Sequence, residues 1–433
     1  MPDTLAILAI GDELTSGQRV DTNSALIASK AEALGVLTVE HRTAPDDFEQ
    51  MIGAIGDLCA KASVLVVTGG LGPTADDLTR QALARVLGDE LVLDEDALAE
   101  LRGWFAGRGR DMPEANKVQA MRPTSAEMLE NPNGTAPGLS AQVNGARVFC
   151  LPGPPREMTP MLDRFVLGDL RRDDSQTVSI RTMPVFGLGE SAVAERLGEL
   201  MDRSRNPIVG TTASGCVVTC RLRHEGPAAD ADRLLDETRD AVRARLGDAI
   251  LTDHDAFDDG HALIRAVSDP LREREETVGT VESCTGGLLG EMITRLPGSS
   301  DLFGGGLLTY SNDLKQQLAG VPHNLLAKHG AVSSQVASAM ASGGRERLGT
   351  SHALAITGIA GPGGGSEDKP TGTVWIARSS SDGSAEARRF LFRGGRDAIR
   401  LWSATTALGM LRLKLIGKDM ILLGQLDLVA ETG

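Results

Sequence analysis

Residues 63–79, SVLVVTGGLGPTADDLT, pass from an apolar, β-branched run into paired glycines and then into a polar segment with Thr and Asp where a helix would start. A short apolar run with that sequel reads as a buried strand ending at a ligand. Upstream, LAILAI (5–10) reads as a first strand, Asn23 to Leu34 as a helix, LTVEHRTA (37–44) as a second strand and Asp47 to Lys61 as a second helix. Strands alternating with helices imply βαβ units, a parallel sheet and ligands at the carboxyl ends of its strands.

Polar clusters follow two of these strands. Asp12, Glu13 and Asn23 come after the first, and Gly69, Gly70, Gly72, Thr74, Asp76, Asp77 and Thr79 after the third. Glycine amides at a helix start attract an anion, and neighbouring carboxylates accept a hard divalent cation that bridges phosphate oxygens to protein. A metal-assisted reaction at a phosphate or pyrophosphate is expected. The plainer alternative is a turn in which Asp76 and Asp77 only cap the next helix. Further Gly- and Pro-rich loops, MPEANKVQA (112–120), NPNGTAPGL (131–139) and LPGPPREM (151–158), belong to the same unit.

The chain has 433 residues, which at about 150 per domain suggests three domains. Lys+Arg 44 against Asp+Glu 59 leaves a net charge of −15, which opposes wrapping of nucleic acid or an anionic membrane. No apolar run approaches the roughly 18 residues of a membrane helix, and MPDTLAILAIGDEL lacks the basic start and cleavage site of a secretory signal, so a cytoplasmic location is expected. Five spread cysteines, Cys59, Cys150, Cys216, Cys220 and Cys284, do not resemble a disulfide framework. Cys216, Cys220 and His224 would share one face of a strand, and core packing is favoured there over a metal site.

Boundaries are expected at 1–170, 171–253 and 254–433. The middle stretch reads as a small α+β module whose β-α-β-β-α order and GLGE (187–190) resemble a KH-type module. Glu190 inside that loop and the acidic helices oppose phosphate binding, so direct nucleic-acid contact is not expected. The acidic stretch 251–262 reads as a linker into a second α/β unit, whose elements include helices at Cys284 to Arg295, Gln335 to Leu348 and Arg396 to Leu415. The tail beyond Lys418 is apolar and is expected to pack back on the protein or on a partner.

In this last unit VGTVESCTGGLLGEM (278–292) sets Ser283 and Cys284 between a strand and a helix, where either could serve as a nucleophile; the plainer alternative is Ser283 as the helix N-cap and Cys284 as a small buried hydrophobe. There the helix dipole favours an anion, and the amides of Thr285, Gly286 and Gly287 are expected to stabilise an oxyanion. Tyr310 and Lys315, in LLTYSNDLKQQL (307–318), supply a base, because a lysine made neutral by burial can activate a serine. No histidine lies in these loops, so a Ser-His-Asp triad is not expected. TGIAGPGGGSEDKPTGTVW (357–375) is a long glycine-rich loop after a strand, with Gly358 and Gly361 as ligand contacts, and Arg396 and Arg400 can pair with a phosphate.

The series GDELTSGQ-VDTN, TGGLGPTADDLT, N-K-QA, GTAPG and LPGPPREM resembles the amino-terminal domain of CinA proteins, a relative of the molybdopterin-binding fold, over about residues 4–170. The segments ESCTGG, TYSNDLK, GAVS, TGIAGPGGGSEDKPTGTV and Arg396-x-x-x-Arg400 resemble the CinA carboxyl-terminal domain, similar to nicotinamide-nucleotide amidohydrolase, over about 260–416. The resemblance implies a three-layer α/β molybdopterin-binding-like domain, a KH-type module and an α/β CinA domain. It implies a bifunctional hydrolase acting on two small nucleotides: cleavage of ADP-ribose to AMP and ribose 5-phosphate, and deamidation of nicotinamide mononucleotide to nicotinate mononucleotide and ammonia.

On that resemblance Gly70, Gly72 and Thr74 contact phosphate, Asp76 and Asp77 bind metal or activate water, and Asp12, Asn116, Lys117 and Glu157 complete the first site. A divalent ion, Mg or a transition metal, is implied at that site and no cofactor at the second. There Ser283 is the nucleophile, Lys315 the general base, Tyr310 a relay or positioning group, and Arg396 or Arg400 the phosphate holder, with Thr285, Gly286 and Gly287 beside them. A homodimer without membrane contact is expected. Two rival expectations are a pterin- or nucleotide-binding protein without turnover, and an adaptor linked to competence or DNA damage.

Overall fold

Alternating apolar strands and helices build two units, Met1–Ser179 with His224–Asp232, and Ile180–Arg223 with Arg233–Gly433. The computed structural model describes residues 3–170, 176–252 and 260–431. The acidic linker expected at 251–262 falls largely on residues 253–259, outside the described residues.

The first unit contains β1 (Thr4–Ile10), α1 (Asp12–Thr15), α2 (Thr22–Ala33), β2 (Leu37–Ala44), α3 (Phe48–Cys59), β3 (Val64–Thr68), α4 (Thr79–Leu87), β4 (Leu91–Leu93) and α5 (Glu95–Ala106). After a 3-10 turn at Glu114–Ala120 come β5 (Met121–Pro123), β6 (Glu127–Leu129), β7 (Gly138–Val143), β8 (Ala146–Leu151) and α6 (Pro155–Met161). Helix starts are set by capping carboxylates: Asp21, Asp47 and Asp94 accept the amides of Ser24, Gln50 and Ala97.

Six strands form one sheet in the order β2-β1-β3-β8-β7-β6. Alternate residues of β1 face opposite layers. Leu5 and Ile7 pack with Ile27 of α2 and Met158 of α6, whereas Leu8 and Ile10 pack with Met51 and Ile55 of α3 and Leu83 of α4. This is the three-layer arrangement, with β3 buried along its whole length. The sheet is mixed rather than parallel throughout, since β7 pairs antiparallel with both β8 and β6. The reason is local: Asn144 and Gly145 both have positive φ and close a two-residue hairpin, an Asn-Gly turn that forbids a crossover.

Farther along lie β9 (Gln176–Phe186), α7 (Glu190–Leu197), β10 (Ile208–Ser214), β11 (Val217–Pro227) and α8 (Ala228–Leu246), with the three strands in the order β10-β11-β9. Cys216 sits in the turn before β11 rather than on the strand, and among the described residues no group of three His, Cys, Asp or Glu side chains could hold a metal.

The chain ends in α9 (Ala262–Glu273), β12 (Val278–Glu282), α10 (Leu288–Thr294), β13 (Phe303–Leu308), α11 (Asn312–Ala319), α12 (His323–His329), α13 (Ser334–Leu348), β14 (His352–Gly358), β15 (Thr373–Ser380), β16 (Ala385–Leu391), α14 (Arg396–Leu415) and β17 (Gln425–Glu431). Its sheet runs β13-β12-β14-β15-β16-β17, parallel around β12 and antiparallel beyond β14. The apolar tail therefore packs back within its own unit, as β17 against β16. Among the described residues no helix is long and apolar enough to cross a membrane.

Candidate functional sites

The carboxyl ends of β1, β3 and β8 open into a cleft of about 620 Å³, lined by Glu13, Asp46, Gly70, Gly72, Asp76 and Glu157 among others. The loop after β3 requires its glycines. Gly70 is left-handed, and a Cβ there would sit 2.2 Å from Thr79 Oγ1. Behind the loop Arg80 is fully buried and donates to the carbonyls of Leu71 (2.6 Å) and Gly72 (3.4 Å), and burial pushes its pKa down to about 10. Asn23 ties the loops after β1 and β8 together by donating to the Gly153 carbonyl at 2.8 Å.

Several expected roles change on this geometry. The Asp77 carboxylate accepts the amides of Gly72 (2.7 Å) and Thr74 (2.8 Å) and also bonds the Thr74 hydroxyl. Those amides are therefore not free for a phosphate, and Asp77 shapes the loop instead of offering oxygens to a metal. Asn116 and Lys117 do not line the cleft. Asn116 donates to Gln119 Oε1 at 2.7 Å and so orients a residue that does line it, while Lys117 pairs with Glu114 at 3.6 Å. Glu157 is buried and accepts from Asn131 at 2.9 Å, against Gly134, where a Cβ would collide with its carboxylate.

The sequence reading missed Asp46. Asp12 and Asp46 exchange backbone-to-carboxylate bonds of 2.9 and 3.1 Å, which folds the residues after β2 against those after β1. Burial, and then the charges of Asp12, Asp76 and Glu13, push the Asp46 carboxyl above its usual range. Mutual repulsion of this kind is what a bound cation relieves, and an all-oxygen donor set suits a hard divalent ion. No three of these side chains stand close enough to hold a metal by themselves. One or two carboxylates with substrate phosphate oxygens would suffice, the usual habit of Mg²⁺.

The second site lies at the carboxyl ends of β12, β13 and β14. Ser283 follows β12 and is 8% exposed; Lys315, on α11, is 2% exposed. The Lys315 ammonium donates to Ser283 Oγ at 3.0 Å and to the Thr309 carbonyl at 2.8 Å. Burial pushes the Lys315 pKa below its ordinary value. In the neutral amine one N–H can stay on Thr309 while the lone pair faces the Ser283 hydroxyl. Cys284 is buried, and its thiol is pushed up to about 12, which denies it a thiolate near neutrality.

Glu282 overturns part of the expected oxyanion site. Its buried carboxylate accepts the amides of Gly287 (3.0 Å), Leu289 (3.0 Å) and Gly290 (2.9 Å) at the start of α10. The Gly286 amide is also taken, by the Ser283 carbonyl at 3.1 Å. What remains is Thr285, whose buried hydroxyl has no hydrogen-bond partner among the described residues. The two arginines differ in role. Arg400 gives two bonds, 2.9 and 3.2 Å, to the Thr285 carbonyl and so holds the turn. Arg396 is exposed and donates to the Gly361 carbonyl at 2.7 Å and to the Tyr310 hydroxyl at 3.2 Å. Tyr310, 63% exposed, thus contacts the arginine rather than the serine and lysine, which favours positioning over a proton relay.

Two candidate sites at strand ends, one rimmed by carboxylates and one built on a serine and a buried lysine, belong to a multi-domain α/β protein. Residues 6–172 match the family described as "Probable molybdopterin binding domain", 180–252 "Damage-inducible protein CinA KH domain" and 260–415 "CinA C-terminal domain". A "CinA-like protein" of Geobacter metallireducens is 44% identical over 418 residues, covering 95% of this chain and 99% of that protein. Another, of Geobacter sulfurreducens, is 41% identical over 95% of this chain and 99% of that one. A crystal structure of the competence/damage inducible protein CihA from Agrobacterium tumefaciens is 40% identical, covering 36% of this chain and 94% of that one, with a TM-score of 0.35. The chain belongs to the CinA family.

Proposed function

We propose that the carboxyl-terminal site is an amidohydrolase that converts nicotinamide mononucleotide to nicotinate mononucleotide and ammonia. The observation carrying this reading is the 3.0 Å contact between Ser283 Oγ and the buried Lys315 Nζ. Neutral Lys315 takes the Ser283 proton as Oγ attacks the carboxamide carbon. The tetrahedral oxyanion needs a donor, and the unpartnered Thr285 hydroxyl is the candidate. Lys315 then returns the proton to the amide nitrogen, the C–N bond breaks, and ammonia leaves an ester on Ser283. Water, deprotonated by the same amine, hydrolyses that ester and restores both groups. Arg396 holds the substrate phosphate.

Ammonia release by the full chain tests this. Ser283→Ala should lose the activity while Cys284→Ala keeps it, and the reverse outcome would remove the reading.

For the amino-terminal cleft we read hydrolysis of a nucleoside diphosphate sugar of the ADP-ribose kind, supported by the carboxylates gathered around Asp46. A divalent ion held by Asp76 with Asp46 or Glu13 would supply charge neutralisation at the diphosphate and a more acidic water. The residues themselves shape the cleft: Arg80 and Asp77 hold the glycine loop, and Gln119 and Asn23 fix the walls. EDTA should stop release of AMP from ADP-ribose, and Asp46→Asn should weaken it; turnover indifferent to EDTA would contradict the reading.

A further inference from the structure

The glycine-rich segment after β14, expected from the sequence to bring backbone amides to a ligand, is anchored at both ends. Residues 362–368 and 370 are exposed, and among them only Lys369 is half-buried. Its ammonium donates to the Val332 carbonyl at 2.8 Å and the His329 carbonyl at 3.3 Å, just past the end of α12. A cation there also meets the negative end of that helix. A tight turn delivers it: the Ser366 amide bonds the Lys369 carbonyl at 2.9 Å, and the Lys369 amide bonds Ser366 Oγ at 3.2 Å. From the strand side, the Thr357 hydroxyl donates to the Ala331 carbonyl at 2.8 Å, so residues 329–332 are gripped twice.

The other end of the loop is packed on itself. Gly361 is left-handed, and a Cβ there would lie 2.6 Å from Thr371 Cγ2. Its carbonyl is the acceptor that fixes Arg396, and Arg396 in turn reaches Tyr310. A chain of contacts therefore runs from the Lys369 ammonium, through the loop, to the exposed Arg396 guanidinium, whose charge acts on Cys284 beside Ser283.

We infer that Lys369 is a positioning residue for substrate capture: by clamping the loop to residues 329–332 it presents Arg396 to an anionic group, so that the site selects phosphorylated amides over neutral ones. Lys369 touches no reacting atom. The inference rests on the amidohydrolase reading.

The test measures ammonia release by the full chain from nicotinamide mononucleotide and from its unphosphorylated riboside, together with hydrogen exchange of residues 361–372. If Lys369→Met leaves the loop in its competent state about a tenth of the time, KM for the mononucleotide rises about tenfold. In that variant kcat and the riboside kinetics should stay within about twofold, and exchange across the loop should quicken. Lys369→Arg, which keeps donors for both carbonyls, should restore KM and protection. A fall in kcat with KM unchanged, or an equal loss on both substrates, overturns the inference. Should the wild-type chain release ammonia from neither compound, the amidohydrolase reading fails. The exchange data then decide on the anchor alone: faster exchange in Lys369→Met upholds it and unchanged exchange overturns it.

Discussion

In the proposed amidohydrolase, Lys315 owes its role as base to where it is buried. Its ammonium is buried against the Thr309 carbonyl and the Ser283 hydroxyl, and desolvation holds its pKa below the ordinary 10.5. Two consequences follow with the same sign. If the neutral amine is the base, as proposed, kcat/KM for the amide should rise with pH and level off below 10.5, in a pH profile of ammonia release. Between the folded and unfolded values the unfolded chain binds more protons, so stability should also rise with pH across that window, and Lys315→Met should flatten both dependences. At this scale the sequence named Ser283 and Lys315, which the fold brings within 3.0 Å of each other, but left Cys284 beside Ser283 and Arg400 beside Arg396 as alternatives. Asp46 was not legible, since nothing in PDDFEQ marks a carboxylate that only the pairing of β1 with β2 brings to Asp12. Asp77 and Asn116 misled for the opposite reason: polar side chains in a loop bond the nearest backbone or amide first.

Elements set these side chains, and the strand-to-helix turn at 282–290 shows how. A helix was expected from Cys284, but α10 begins at Leu288. Glu282 reaches past the turn to cap it, with Gly287 left-handed at the N-cap, so residues 283–286 stay free of helical geometry and Ser283 faces Lys315. Glu282→Ala would leave three amides unpaired, that of Leu289 buried and those of Gly287 and Gly290 half-buried, and should lower stability by about 3 kcal/mol in urea denaturation, at the low end of one to three for each orphaned donor. Glu282→Gln, which keeps an acceptor, should lose less; equal stability of wild type and Glu282→Ala would refute the capping role. Strands and long helices were readable because their apolar periods are strong, as in β1, β3 and α14. The hairpin at Asn144–Gly145 and the pairing of β17 were not read. One rests on two turn residues, and the other is a long-range pairing with β16 that the local pattern of the tail does not encode.

Across the molecule, two sheets place their chemistry by one rule, at the carboxyl ends of neighbouring parallel strands, yet the chemical solutions differ. The first gathers carboxylates, for which a divalent cation is proposed; the second buries an amine beside a hydroxyl, for which a metal-free reaction is proposed. The 51 glycines follow the same division, since Gly70, Gly134 and Gly361 each stand where a Cβ would strike the groups that shape a site. EDTA should therefore separate the two activities in one preparation. The central claim is that Lys315 activates Ser283 without metal, and it is met most directly by ammonia release from nicotinamide mononucleotide in excess EDTA, wild type beside Lys315→Met. Full wild-type activity with a loss of roughly 10²- to 10⁴-fold in the variant is the predicted result. Wild-type dependence on added metal, or a Lys315→Met chain that keeps its rate, would contradict it.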